Sequence, residues 1–324
     1  MRPQARLERM LSLAGDLRPG TGARSVLIGL IGAGIQASRS PALHEREAEA
    51  QGLLGIYKLI DLAELGLPAE AAGELVMSAQ RLGFAGLNIT HPCKQSIIAT
   101  LDALSPEADA IGAVNTVVFE GKRRIGHNTD AYGFAESFRR SLPESRLDRV
   151  VQLGAGGAGA AVAHALLSLG AGTLTLVDVD AGRAEVLATR LRNRFGQGRA
   201  WAEPDAATAL AEADGLVNAT PIGMARYPGT PIPAALLRRA LWVADIVYTP
   251  LETALLAAAR RLGCRTLAGG GMAVFQAVEA FRLFTGIAPD AARMLRHFES
   301  MIAGDASANI STRPYREDDH GLLG

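Results

Sequence analysis

Residues 149–180 read RVVQLGAGGAGAAVAHALLSLGAGTLTLVDVD. Val150 to Leu153 is a short β-prone run that breaks into Gly154-Ala155-Gly156-Gly157-Ala158-Gly159. The small-residue segment Ala160 to Gly170 follows, and Thr173 to Val177 reads as a second strand ending on Asp178. A bare G-x-G-x-x-G run is a weak signal. Between a strand and a helix, with an acid about 20 residues further on, it marks a dinucleotide-binding turn. Glycine permits positive φ and lets the backbone approach a pyrophosphate, and the free N–H groups of the helix start receive the anion. The plainer alternative is a tight turn that packs a helix on a sheet. The complete βαβ unit favours cofactor contacts at Gly154, Gly156, Gly157, Ala158 and Gly159.

Bulk properties narrow the field around this unit. A chain of 324 residues favours two domains. The 33 basic and 33 acidic residues cancel, and no large basic block appears, so nothing favours a nucleic-acid partner. No apolar run has membrane-span length; even Leu27 to Ile35 is short and glycine-broken. The only cysteines, Cys93 and Cys264, are far apart, which fits a reducing cytoplasm and no disulfide framework. Cysteine and histidine spacing suggests no metal site. Residues 1–24 form an arginine-rich extension without the apolar core of a secretory signal. Residues 305–324 are polar and proline-broken, and are expected to be disordered.

From Ser25 onward the pattern alternates strand and helix. Strands are expected at 26–31, 56–62 and 86–90, and helices at 41–51, 69–82 and 92–104, the first of these with proline in its first turn. A hairpin follows, from Ala113 to Phe119, through Glu120-Gly121-Lys122 and back to Asp130. Residues 131–148 read as a linking helix and loop. Further strands are expected at 215–218 and 243–248, then helices at 272–285 and 289–302. The fold class is α/β, with two domains. A mainly parallel substrate domain spans 1–130 and 270–324, and a Rossmann-type domain spans 131–269. The chain crosses back because the helix from Met272 follows the nucleotide unit yet carries Gln276, which should face the substrate.

Several stretches together resemble the shikimate dehydrogenases. They are Ser38-Arg39-Ser40-Pro41, Asn88-Ile89-Thr90-His91-Pro92-Cys93-Lys94, Ala113-Val114-Asn115-Thr116 and Asn128-Thr129-Asp130, then Asn218-Ala219-Thr220-Pro221-Ile222-Gly223-Met224, Tyr248-Thr249-Pro250 and Met272 to Gln276. The matches are ordered and span residues 29–286. At one place the chain departs from the NADP-using biosynthetic members. Those carry asparagine-arginine-threonine after the second nucleotide-domain strand, with the arginine on the 2′-phosphate. Here the residues are Asp178-Val179-Asp180, with Arg183 later, which looks like the NAD-using quinate/shikimate dehydrogenases.

The resemblance implies a hydride exchanged between nicotinamide and a ring carbinol carbon of a small polyhydroxylated carboxylate, in aromatic amino acid biosynthesis or quinate catabolism. It implies catalytic roles for Lys94, which can donate or remove the hydroxyl proton, and for Asp130, which orients both. Taken alone, Lys94 reads as an exposed lysine and Asp130 as a helix cap. Ser38, Ser40, Asn88, Thr90, Asn115, Tyr248 and Gln276 are the expected substrate contacts. Asp178, Arg183, Thr220, Ile246 and Gly269 join the glycine turn around NAD. His44, His91 and His127 sit beside motif positions and read as surface or satisfied histidines. The alternatives are an NADP-linked biosynthetic enzyme, an aminoshikimate-type relative, or a non-catalytic binder of the same ligands. A monomer or a homodimer is expected.

Overall fold

The structure, a computed structural model, describes residues 24–311. The expectations for residues 1–23 and 312–324 lie outside the described residues. Twelve strands are described, in two six-stranded sheets that form the cores of the two α/β domains.

In the first sheet, strands β1 (Ser25–Gly32), β2 (Leu54–Asp61) and β3 (Gly86–Ile89) run parallel in the order β2-β1-β3. The sheet continues through β5 (Thr116–Glu120) and β6 (Arg123–His127), which form an antiparallel hairpin, to β4 (Ala103–Leu104) at the edge. The near-continuous apolar run of β1 is explained by its central place. One face packs on Val76, Ile97 and Val114, and the other on Tyr57, Ala280 and Phe284. Parallel strands covered on both faces read this way.

The second sheet holds β7 (Arg149–Leu153), β8 (Thr173–Val177), β9 (Ala200–Ala202), β10 (Gly215–Asn218), β11 (Trp242–Asp245) and β12 (Arg265–Ala268). All pairs are parallel in the order β9-β8-β7-β10-β11-β12. Strand order reverses between β7 and β10, which places the crevice used by ligands in this topology at their carboxyl ends.

Two helices join the sheets. Asp130–Ser141 leaves the first sheet and Gly270–Thr285 leaves the second. The second helix returns to the first sheet. Its Ala280 and Phe284 pack with Val26, Ile28 and Val118, while Val274 and Phe275 pack on Leu43, Met294 and Phe298. The last helix, Ala291–Ser311, is fastened to helix Ser40–Ala50 by a two-pronged ion pair in which Arg293 donates to buried Glu47 at 2.7 and 2.8 Å.

Two expectations are corrected. The helix expected over 92–104 is an irregular turn followed by a 3₁₀ segment, Ser96–Thr100, and by β4. The Lys94 carbonyl accepts from Val114 N at 2.8 Å instead of opening an α-helical ladder, and Ile97, Ile98 and Thr100 are β-branched. Residues 305–311, expected to be disordered, belong to the last helix; alanine-rich sequence continues there and the first proline is Pro314. Elements that had no expectation include β4, β9, β12 and helices Pro106–Ile111, Ala181–Phe195 and Ala254–Arg261; β4 and β9, of two and three residues, are too short to show a period.

His44 is 1% exposed between Tyr57, Phe281 and Phe284, with both ring nitrogens unpartnered. Burial pushes its pKa down to about 3. The folded value lies below the unfolded one, about 6.5, so acid favours the unfolded chain from pH 6.5 downward. His44→Leu is therefore expected to narrow the stability difference between pH 7 and pH 5 by up to about 2 kcal/mol. Urea midpoints of the two proteins at both pH values check this.

Candidate active site

The two carboxyl-end crevices face each other. Lys94 lies in the turn after β3, and Asp130 opens the linking helix. Lys94 Nζ is 2.5 Å from Asp130 Oδ2, with side chains 17% and 8% exposed. Asp130 does not cap its helix. Asn128 Oδ1 instead accepts from Asp130 N and Ala131 N at 3.1 and 3.3 Å, leaving the Asp130 carboxylate free for the cleft.

Behind this pair runs a directed chain of hydrogen bonds. The Tyr57 phenol donates to Asn88 Oδ1 at 2.8 Å, Asn88 Nδ2 to Thr116 Oγ1 at 3.0 Å, and Thr116 Oγ1 to Asn115 Oδ1 at 3.1 Å. Asn115 Nδ2 then donates to Asp130 Oδ1 at 2.9 Å and to Thr129 Oγ1 at the same distance. Every donor points toward Asp130. Both N–H groups of Asn115 are committed inside the protein, so in this arrangement it supports the carboxylate. Tyr57 escaped the sequence reading because a tyrosine in a strand looks like an ordinary structural residue, and Thr116 and Thr129, though inside the quoted motifs, carried no assigned role. Burial pushes the Tyr57 phenol well above its usual range, opposed by the nearby Ser40 hydroxyl and reinforced by Tyr248.

The loop between β1 and helix Ser40–Ala50 carries the two serines. Ser38 Oγ accepts from Ser40 N at 3.3 Å. The loop is anchored by buried Asp61, another residue the sequence reading missed, whose carboxylate accepts from Gly34 N at 2.7 Å and Ile35 N at 2.8 Å. These donors, with those of Ala63 and Gln36, hold its pKa below the usual carboxylate value against the effect of burial. Thr90 lies beside the start of this loop, its Cγ2 against Gly32.

From the second domain, Tyr248 faces Arg39 and Asp130. Burial raises its phenol, Arg39 opposes the shift and Asp130 adds to it. Gln276 packs on Gly133, one helical turn from Asp130, and its amide donates to Ala273 O at 2.9 Å.

The glycine turn meets this site directly. A Cβ on Gly157 would lie 3.5 Å from Lys94 Cβ. Gly154 has φ +95, a conformation that favours glycine, and a Cβ on Gly159 would sit 2.3 Å from Gly154 O. A Cβ on Gly156 would meet nothing within 4 Å, so open space lies over the backbone where a pyrophosphate would approach. Ala158 is in the first turn of helix Gly157–Ser168. Asp178 follows β8; its Oδ2 accepts from Ala155 N at 2.7 Å and its Oδ1 from Asp180 N at 2.9 Å. Arg183 Nη1 is 3.8 Å from Asp178 Oδ1. On the other side of the turn, Thr220 N packs against Gly154, and Gly269 packs on the Ile246 carbonyl. These residues fit a dinucleotide: a glycine cradle, a helix start and a strand-end acid.

This fold and cleft define a two-domain oxidoreductase that uses a nicotinamide dinucleotide on a CH–OH group. Family models bear this out: the shikimate dehydrogenase substrate binding domain matches residues 30–117 and the shikimate 5'-dehydrogenase C-terminal domain matches residues 269–297. The chain is 63% identical over 285 residues to a shikimate dehydrogenase (NADP(+)) of Streptomyces avermitilis, covering 87% of this chain and 98% of that one. It is 48% identical over 281 residues to a quinate/shikimate dehydrogenase (NAD(+)) of Corynebacterium glutamicum, covering 86% and 99%. The solved structure of quinate dehydrogenase from Corynebacterium glutamicum in complex with NAD matches with a TM-score of 0.79 at 46% identity, covering 86% of this chain and 99% of that one. The chain belongs to the shikimate dehydrogenase family. Among the described residues, no helix is long and apolar enough to cross a membrane.

The turn geometry separates binding from folding. Gly156→Ala is expected to leave thermal stability within a few degrees while weakening cofactor binding at least about tenfold. Gly159→Ala should instead cost about 1–3 kcal/mol of stability, because its Cβ would strike the turn. Thermal melts and cofactor titrations of both variants check the contrast.

Proposed function

We propose that the chain is an NAD-preferring shikimate/quinate dehydrogenase with Lys94 and Asp130 as its catalytic pair. In this reading residues 1–130 and 270–324 form the substrate domain around the cofactor domain 131–269. The carrying observation is the 2.5 Å Lys94–Asp130 contact packed against Gly157 of the nucleotide turn. It supports a reading in which the lysine of the cleft motif exchanges the proton on the oxygen of the carbinol whose carbon exchanges the hydride. An intact pair also argues against a non-catalytic ligand binder.

When bound, the nicotinamide ring accepts the hydride from the carbinol carbon or returns it to the ketone. During reduction Lys94 Nζ donates its proton to the nascent alkoxide; during oxidation the neutral amine removes the hydroxyl proton. Asp130 accepts from Lys94 and from the substrate hydroxyl, and the donors behind it hold its carboxylate in one orientation. Ser38, Ser40 and Tyr248 donate to the substrate carboxylate. Asn88, Thr90, Asn115 and Gln276 shape the wall that faces the ring hydroxyls, with Asn88 and Asn115 acting through the hydrogen-bond chain.

The preference for NAD is supported by the end of β8. Asp178 stands at the strand end where the ribose hydroxyls of an adenosine would lie, and Val179, fully exposed beside it, stands where the resemblance puts an arginine in NADP-using members. A 2′-phosphate would bring about −1.5 to −2 charge toward that carboxylate. Two unit charges near 4 Å at an effective dielectric of 20 repel by about 4 kcal/mol, and solvent and Arg183 reduce this. A preference of about 10- to 150-fold follows. The specific observation on the other side is the 63% identical relative named for NADP(+). The values of kcat/KM for NAD and NADP with saturating shikimate, then quinate, separate the two readings: equal values or an NADP preference would replace this one. Asp178→Ala should narrow the ratio chiefly by admitting NADP.

Lys94→Ala is expected to lower kcat by at least about 10²-fold with little effect on NAD affinity. Steady-state kinetics and a cofactor titration check it; near-wild-type kcat would remove Lys94 from the chemistry.

A further inference from the structure

At the mouth of the cleft each domain sends one arginine toward the other. Arg39, between the two serines, faces Tyr248 of the second domain strongly enough to oppose the rise of its phenol. Arg226, in the segment after β10, reaches the other way. Its Nη2 and Nη1 lie 3.4 and 3.6 Å from where a Cβ on Gly34 would be. Gly34 is exposed, has φ +67, and belongs to the loop that carries Ser38 and Ser40. Ser38 N donates to Ile35 O at 2.9 Å, folding that loop into a turn whose ends are within about 7 Å. Asp61 fixes its start, so the distance from Arg226 to the serines is set by folded structure and not by a wandering loop. Among the described residues, Arg226 has no hydrogen-bond or ion-pair partner within the protein.

The groups assigned to the substrate carboxylate are all neutral: two hydroxyls and a phenol. Neutral donors accept a carboxylate, but they also accept an ester or a ketone oxygen, so they discriminate weakly on charge. A guanidinium beside the loop adds discrimination on charge.

We propose that Arg226 is a specificity-determining residue that selects an anionic, carboxylate-bearing substrate over a neutral one of the same shape, by closing over the serine loop from the cofactor domain. The inference rests on the dehydrogenase reading of the same cleft. It assigns Arg226 no part in proton or hydride transfer. Its work is done on binding, by a charge brought from the cofactor domain to the Gly34 end of the loop, in addition to that of Arg39 between the serines.

The test compares shikimate with its neutral methyl ester in wild type, Arg226→Ala and Arg226→Lys. Arg226→Ala should lower kcat/KM for the acid about three- to tenfold at low salt, change the ester less than twofold, and leave kcat nearly untouched. Arg226→Lys should keep most of the acid preference, because charge and not fork geometry is at issue. The difference between wild type and Arg226→Ala should fade toward 0.5 M NaCl, as expected for an exposed charge. Equal losses for acid and ester, or no loss for either, would overturn the proposal; equal losses would make Arg226 a packing residue of the loop. Calorimetric Kd values for acid and ester read the selectivity without turnover. A wild type that binds the acid but turns over neither shikimate nor quinate would sink the dehydrogenase reading while leaving this inference measurable.

Discussion

Two helices that touch backbone to backbone set the geometry of the whole molecule. A Cβ on Gly133 would lie 2.7 Å from Met272 O and 2.8 Å from Gln276 N, and one on Gly271 would lie 2.2 Å from Ser137 Oγ. Helices Asp130–Ser141 and Gly270–Thr285 approach this closely because Gly133 faces the backbone of its partner, with Gly271 against the Ser137 side chain. The contact is flanked by Phe134, Phe138 and Met272 in one apolar cluster. Each helix begins at the cleft: the first with Asp130, the second nearly two turns before Gln276. Any larger side chain at the crossing would push the sheets apart and separate the acid from the lysine and the cofactor turn.

The cleft then depends on a second constraint, the direction of buried hydrogen bonds. An amide can donate or accept according to which way it is turned, and a hydroxyl has one proton to give. The Tyr57 phenol gives its proton to Asn88 Oδ1, which turns Asn88 Nδ2 toward Thr116. Thr116 in turn gives its proton to Asn115 Oδ1, so Asn115 presents N–H groups to Asp130. A carboxylate that receives an amide donor on one oxygen and a lysine on the other is held in one plane. The polar residues of the first sheet's carboxyl edge thus act as one unit, although they come from five separate segments.

The cofactor side is arranged on different physics. There the backbone leaves room. The turn residues define a space over Gly156, and Asp178 is drawn to the turn by Ala155 N, which ties the strand-end acid to the glycine turn. Overall similarity averages over some 280 aligned positions, whereas a cofactor's 2′-phosphate meets only a few atoms. Relatives named for NADP(+) and for NAD(+) accordingly both align over nearly their full length.

Local sequence determined a good deal of this protein. The glycine turn, the strand before it and the acid after it are contiguous, so their chemistry could be read without a fold. The alternation of strand and helix made the α/β class plain, since buried parallel strands leave long apolar runs. The same holds for Lys94, Asp130 and the serine pair, whose neighbours carry the family resemblance. What only tertiary structure decided are relations between distant segments. The turn at Lys94 stays out of a helix because Val114 takes its carbonyl. Asn128 and not Asp130 caps the linking helix, which frees the carboxylate. Tyr57 enters the site because β2 lies beside β1 and carries its phenol to Asn88, 31 residues away. Arg226 reaches Gly34 from the other domain. None of these pairs has a signature in spacing, because a hydrogen bond or a charge contact depends on distance in space, and the chain brings those groups together only after both sheets have formed.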